Sequence, residues 1–222
     1  FTAFDCGIRE LLSKATDLVI AGGVNSNLSP ESFIGFSKMG ALSAEGSFPF
    51  DKRAGGFVLG EGAGVVILKR MKDAIRDKDN ILAVVKSVGA SSDGKGKAVA
   101  APNEKGQILA LERCFEKNKS FTPKDVDFIE AHGTSTIIGD EAEIKTVLDI
   151  YGKSGKTGIS SVKSQIGHLL GGAGAAGFIK AVLAIKNKTL PPVADFKEIS
   201  DQCSLEGSDL YIINSPEKWT SK

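Results

Sequence analysis

Apolar positions along this chain recur at two alternating periods, one near four residues and one near two, and each change of period predicts a change of element. Phe1, Phe4, Ile8, Leu11 and Leu12 share one helical stripe, so the sequence opens inside an amphipathic helix. Residues 17–23, DLVIAGG, form a short apolar strand ending in a glycine pair. Residues 29–53 hold Pro30, Pro49, several serines and four phenylalanines, and read as a long connection that is functional or wraps a partner surface. The stretch 55–69, GGFVLGEGAGVVILK, is strand material whose glycines permit close backbone approach, and a charged helix over 69–79 follows. A strand over 81–94, ILAVVKSVGASSDG, then begins a second block. Ile108, Leu111 and Phe115 mark a further helix, 127–133 a strand running into a turn, and Ile144, Val147, Leu148 and Tyr151 another helical stripe. Residues 157–163 read as a strand, and 173–185 as a helix apolar nearly all round, hence buried, which Leu190-Pro191-Pro192 stops. A last strand at 209–215, DLYIINS, echoes DLVIAGG and hints at two related halves. Alternating strands and helices of this kind predict an α/β fold.

Composition narrows the function. The 222 residues carry 28 Lys+Arg against 27 Asp+Glu, with no basic run, which argues against a nucleic-acid or polybasic membrane surface. The longest apolar stretch, 169–179, is too short to cross a bilayer, and no leader pattern opens the sequence. Cys6, Cys114 and Cys203 form no paired motif, which points to a reducing, cytoplasmic setting. The 26 glycines, about 12% of the chain, exceed the usual ~7%. Histidine occurs only twice, so each one can be weighed.

His132 lies in EAHGTST directly after an apolar strand, at the carboxyl end where α/β sheets place ligands. His168 ends VKSQIGH, a few residues past the next strand. Lys163, five residues before it, is a cation that would oppose imidazole protonation and leave a neutral ring able to donate one N–H. Two such donors converging on one oxygen make an oxyanion hole. The alternative for each is a structural histidine with its bonds satisfied. Residues 172–177, GAGAAG, spell the dinucleotide fingerprint, which would make the protein an oxidoreductase. That site needs a strand immediately before the glycines and an acid ~20 residues on at the end of the next strand. Here KSQIGHLL intervenes and Asp195 follows Pro191-Pro192, so tight packing of a buried helix explains the small residues better. Two histidines without matching carboxylates or thiolates make a poor metal set, so no metal is expected.

The segments EAHGTSTIIGDEAE, SSVKSQIGHLLGGAGAAG, FSKMGALS and PFDKRAGGFVLGEGAGVVILK resemble the β-ketoacyl synthases, the condensing enzymes of fatty acid and polyketide assembly. The resemblance implies the thiolase-like αβαβα layered sandwich with mixed sheets. Residues 1–75 would be the end of the N-terminal half, itself incomplete, and 82–222 the C-terminal half. It implies that His132 and His168 are the histidines of a Cys-His-His triad, that Lys163 is the lysine beside the second, and that Thr134 and Thr136 bind the phosphopantetheine arm of a carrier protein. Helix capping is the alternative for the two threonines. The family's nucleophile would fall a few residues upstream of Phe1, and its closing Gly-Phe-Gly-Gly loop beyond Lys222, so the sequence reads as an internal piece, inactive alone. Cys6, Cys114 and Cys203 are packing or incidental thiols in this reading. Gly177 stands where several discrete bacterial synthases carry a glutamate, so the chain is more similar to ketosynthase domains of multifunctional synthases. The implied partners are an acyl carrier protein and a second copy of the chain, with no bound cofactor, no nucleic acid and no membrane. Thiolases share the fold, but carry a second active-site cysteine and lack a histidine in this context. A non-catalytic ketosynthase homologue that sets chain length is the remaining alternative.

Overall fold

A computed structural model describes residues 1–94 and 102–220. The opening stripe forms α1 (Thr2–Leu12), which buries Phe4, Gly7 and Leu11. It lies flat on the first strand because Gly7 has no side chain; a Cβ there would stand 2.6 Å from the Val19 side chain. That strand, β1 (Leu18–Asn25), pairs antiparallel with β2 (Gly62–Lys69), Leu18 opposite Lys69 and Asn25 opposite Gly62. The second sheet is parallel. Its members are β3 (Phe128–Glu130), β4 (Thr157–Ser160) and β6 (Leu210–Ile212), with β4 in the middle. All four residues of β4 are buried, as a central strand covered on both faces requires. A small antiparallel pair, β5 (Thr189–Leu190) and β7 (Glu217–Lys218), completes the described strands.

Helix α7 (Ala173–Asn187) touches β1 and β2 on one side and β3 on the other, and so lies between the two sheets. On the far side of the parallel sheet, α4 (Glu104–Lys117) packs on α5 (Ile137–Tyr151). The core there joins Ile144, Val147 and Tyr151 of α5 to Ile159 of β4, Leu210 of β6, Phe50, Ala131 and Cys203. Sheets separated by a helical layer and covered by outer helices make an α/β layered sandwich. No helix among the described residues is long and apolar enough to cross a membrane.

Several elements depart from the periodicity. Inside the expected connection 29–53 stands α2 (Pro30–Lys38), started by Ser29 Oγ accepting from Ser32 N and by Pro30 in the first turn. The loop-like composition around it hides this start signal. The charged helix is only α3 (Met71–Arg76), and the glycine-rich stretch before β2 is irregular up to Gly62. Residues 81–94 form no ladder with any described strand. Instead Asn118, Lys117 and Arg113 donate to the carbonyls of Lys86, Val88 and Ala90, and Ile81, Leu82, Val84 and Val85 are exposed. β-Branched residues favour a strand only when a neighbour supplies the other half of the ladder. The expected strand 157–163 ends at Ser160, and Lys163 opens a short helix, α6 (Lys163–Ile166). Helix α7 buries Ala175, Gly177 and Ala184 but leaves Leu183 and Ile185 exposed, so it is not enclosed all round. β1 is antiparallel to β2, whereas β6 is parallel to β4.

The core around β4 sets a measurable expectation. Ile159 has 0% of its surface exposed. Ile159→Ala should lower unfolding stability by about 3 kcal/mol, read from the shift of a denaturant midpoint.

Candidate active site

The site is built at the carboxyl ends of β3 and β4. Strand β3 stops at Glu130, and the chain turns through His132 to Ser135, with Gly133 at φ 43 and Ser135 at φ 63. Gly133 is required on two counts, since its backbone is left-handed and a Cβ would stand 2.6 Å from Ser161 Cβ. Two carboxylates at the start of α5 hold this turn by its amides. Glu143 Oε1 accepts from His132 N at 2.6 Å and Oε2 from Gly133 N at 2.7 Å. Asp140 accepts from Ser135 N at 3.0 Å and from Phe50 N at 2.7 Å, tying the turn to the segment before Asp51. Burial raises both carboxyls, that of Asp140 to about 7.

Thr134 is buried, and its Oγ1 lies 2.9 Å from Oγ1 of Thr136. Thr136 occupies the N-cap position of α5, yet its hydroxyl makes no capping bond. The capping alternative therefore fails for Thr136. Its hydroxyl and that of Thr134 instead flank the open side of Gly139, where a Cβ would stand 2.4 Å and 3.0 Å from them.

After β4 the chain enters α6 and turns at Gly167, φ 71, where a Cβ would meet Val58 O at 2.7 Å. His168 is fixed by its backbone to the segment before β2: its N–H donates to Val58 O, and its carbonyl accepts from Gly60 N. Leu170 N donates to His168 Nδ1 at 3.0 Å, which assigns the ring proton of the neutral form to Nε2. Phe57 meets the same ring edge-on, centroids 5.0 Å apart, and Phe36 of α2 backs Phe57 at 5.4 Å. Both turns thus converge. The His132 and His168 rings stand 5.5 Å apart and nearly perpendicular, at 87°.

His168 is half-buried, and His132 is crowded on one side and open to solvent on the other. The protein packed around each ring, reinforced by the Lys163 charge, pulls both imidazoles down to about 4, so both are neutral at pH 7. Lys163 is itself buried, and burial lowers it, opposed by Glu143, Glu130 and Asp140. Its ammonium donates to the backbone carbonyl of His132 at 2.5 Å. The lysine beside the second histidine in sequence therefore bonds the first histidine's turn.

Three residues of the site, Asp140, Glu143 and Phe57, do not stand out in the sequence. The available signal is GDEAE: two acids three residues apart share a helix face with Ile144 and Val147, a face that must be buried. The dinucleotide reading of 172–177 fails here, because these residues begin α7 after the His168 turn and no strand precedes them. Ala175 and Gly177 instead face Gly64 and Glu130, while Asp195 pairs with Arg53 at 2.9 Å. Cys203 lies in the core with its thiol pushed up to about 12 by burial, Cys6 is exposed on α1, and Cys114 sits on α4. A groove of about 660 Å³ runs between β2 and α7 past Leu169, Ile179 and Lys180, and neither histidine lines it.

The depressed imidazoles give a signed expectation. A histidine in the unfolded chain titrates near 6.5, so as pH falls below that value the unfolded state binds protons first. Stability should then be lost progressively until the folded rings protonate near 4. Ring resonances followed by NMR should stay those of the neutral form from pH 8 down to about 5.5. A midpoint near 6.5 for either ring would contradict this electrostatic description.

Comparison with known proteins identifies the family. The family model "Beta-ketoacyl synthase, N-terminal domain" matches residues 1–74, and "Beta-ketoacyl synthase, C-terminal domain" matches 82–197. One subunit of the phenolphthiocerol/phthiocerol polyketide synthase of Mycobacterium tuberculosis is 39% identical over 213 residues, which is 95% of this chain and 14% of that protein. Another subunit of the same mycobacterial synthase is 38% identical, covering 98% of this chain and 12% of the relative. Among solved structures, the ketosynthase from module 6 of the bacillaene synthase of Bacillus subtilis superposes with a TM-score of 0.94 at 34% identity, over 98% of this chain and 40% of that one. The oxazolomycin ketosynthase domain of Streptomyces albus gives 0.94 at 31% identity, over 99% and 38%. Its fold is thus the thiolase-like one of the ketosynthases, and the chain belongs to the β-ketoacyl synthase family.

Proposed function

We propose that the protein is an internal piece of a polyketide synthase ketosynthase domain and that the complete domain catalyses decarboxylative Claisen condensation of an acyl thioester with malonyl on a carrier protein. The observation that carries this reading is the pair of neutral imidazoles, 5.5 Å apart at the ends of neighbouring parallel strands. In this reading residues 1–75 close the N-terminal half of the domain and 82–222 form the C-terminal half. The acyl chain sits on a cysteine that is none of the three present, for Cys203 is buried and raised, and Cys6 and Cys114 are helix residues outside the histidine turns.

Loss of CO2 from malonyl leaves an electron pair on the carbon α to the thioester, with negative charge on the thioester oxygen. His132 and His168 donate N–H to that oxygen, the His168 proton being held on Nε2 by the Leu170 amide. The enolate carbon then attacks the acyl thioester, and the cysteine thiolate leaves. Lys163 supplies a fixed positive charge that opposes protonation of either ring, and it holds the His132 carbonyl. Glu143 and Asp140 position the turn. Thr134 and Thr136 hydrogen-bond the phosphopantetheine arm, so the substrates arrive on a carrier protein and the chain itself binds no cofactor. The complete domain works as a homodimer in the cytoplasm, where its thiols stay reduced. Retention of both histidines and of Lys163 supports an active condensing enzyme over a chain-length partner.

In the full-length protein, His132→Ala and His168→Ala should each abolish CO2 release from malonyl-carrier protein, measured with labelled malonyl. Near-normal release in either variant would sink the assignment. Thr134→Val should raise KM for carrier-bound malonyl several-fold, about 1 kcal/mol of lost hydrogen bonding, in a protein that its unfolding transition shows to be folded.

A further inference from the structure

One buried ion pair joins the end of β3 to α7. Glu130 Oε2 stands 2.8 Å from Lys180 Nζ, each side chain is 10% exposed, and Oε2 has no other hydrogen-bond partner among the described residues. Replacing a buried ion pair with well-packed apolar groups is often neutral or stabilising, so stability is a weak reason for its presence. Its connections suggest another role. Glu130 is the last residue of β3, two before His132. Its Oε1 accepts from Val162 N at 2.6 Å, immediately before Lys163. Lys180, on α7 beyond the His168 turn, donates through the same ammonium to Ser160 Oγ at the end of β4, 2.7 Å. Gly177, one turn earlier on α7, leaves the room that Glu130 fills, since a Cβ there would stand 3.2 Å from Glu130 Cγ.

We propose that Glu130 and Lys180 are the positioning pair of this site, the ionic link that fixes the segments carrying His132, Lys163 and His168 against one another. The inference rests on the reading of the histidines given above. Neither residue touches the reacting atoms; each acts through the turns. The charged groups around Lys163 agree with this arrangement: Glu143, Glu130 and Asp140 support its ammonium, while Lys180, His132 and His168 face it from the other elements. Glu130 thus compensates Lys180 and keeps a second cation from competing with the first.

The test is a double-mutant cycle in the full-length protein, with Glu130→Gln, Lys180→Met and the pair combined. In the first variant the amide oxygen can still accept from Val162 N, and in the second the unbranched thioether stem keeps the packing. Each single variant leaves a buried group unpaired and should lower the unfolding midpoint. The double variant should recover that midpoint, while kcat for malonyl decarboxylation stays reduced by about 10–100-fold, the cost of a misplacement on the order of 1 Å. KM for malonyl-carrier protein should stay within about twofold, the signature of a loss felt in the transition state. Lys180→Arg, which keeps the charge, should restore most of kcat. Recovery of both midpoint and kcat in the double variant would make the pair purely structural and overturn the proposal, as would undiminished kcat in folded Glu130→Gln or Lys180→Met. Loss of CO2 release in His132→Ala with full activity in the double variant sinks this inference alone. CO2 release that persists in His132→Ala sinks the reading of the site itself.

Discussion

The site depends on holding two backbone turns, each past the end of a parallel strand, close enough that the two imidazole rings stand 5.5 Å apart. Turn amides cannot bond each other, and a buried N–H without an acceptor is costly. Helix α5 supplies the acceptors from its first turns. Glu143 takes the amides of His132 and Gly133, and Asp140 takes those of Ser135 and Phe50. With those four bonds made, the left-handed backbone at Gly133 and Ser135 is imposed by its surroundings, and the direction of the His132 ring follows. His168 is reached differently, through a strand-like exchange of backbone bonds with Val58 and Gly60 that locks its turn to the N-terminal sheet. The site therefore straddles the two sheets, and α7 between them keeps their distance.

Burial shifts the ionisation of the two rings and of the acids and lysines around them. Lys163, Lys180, Glu130, Glu143 and Asp140 surround the turns, and each is displaced from its ordinary ionisation by burial. Burial raises the acids and lowers the lysines, while every opposite neighbour pulls back toward the charged form. In the proposed reaction a cation beside the two imidazoles opposes their protonation, so each ring meets the enolate oxygen as a neutral donor.

Much of this is legible in the sequence. The strand-to-turn junction EAHG, the apolar stripes of α1, α4 and α5, and the mismatch between GAGAAG and a dinucleotide site all follow from period and spacing. The departures have distinct causes. Helix α2 is hidden by prolines and serines that serve as its start signal rather than as loop. Residues 81–94 carry strand composition yet lean on α4 side chains, because a ladder requires a second strand. Proximity along the chain puts Lys163 with His168, and the fold gives its ammonium to the His132 carbonyl instead.

By itself the sequence determined the alternation of strand and helix, the glycines where backbone must turn or approach, and two histidines placed just past strand ends. These are local properties, set by φ/ψ preference and by which face of an element is apolar. Only the tertiary structure decided that Glu143 and Asp140 would hold the first turn, that the Leu170 amide would fix the His168 proton, and that Glu130 would meet Lys180. Each of those joins two segments whose separation along the chain says nothing of their distance in space. Hydrogen bonds and ion pairs act over a few ångströms, so their partners are chosen by how the layers pack.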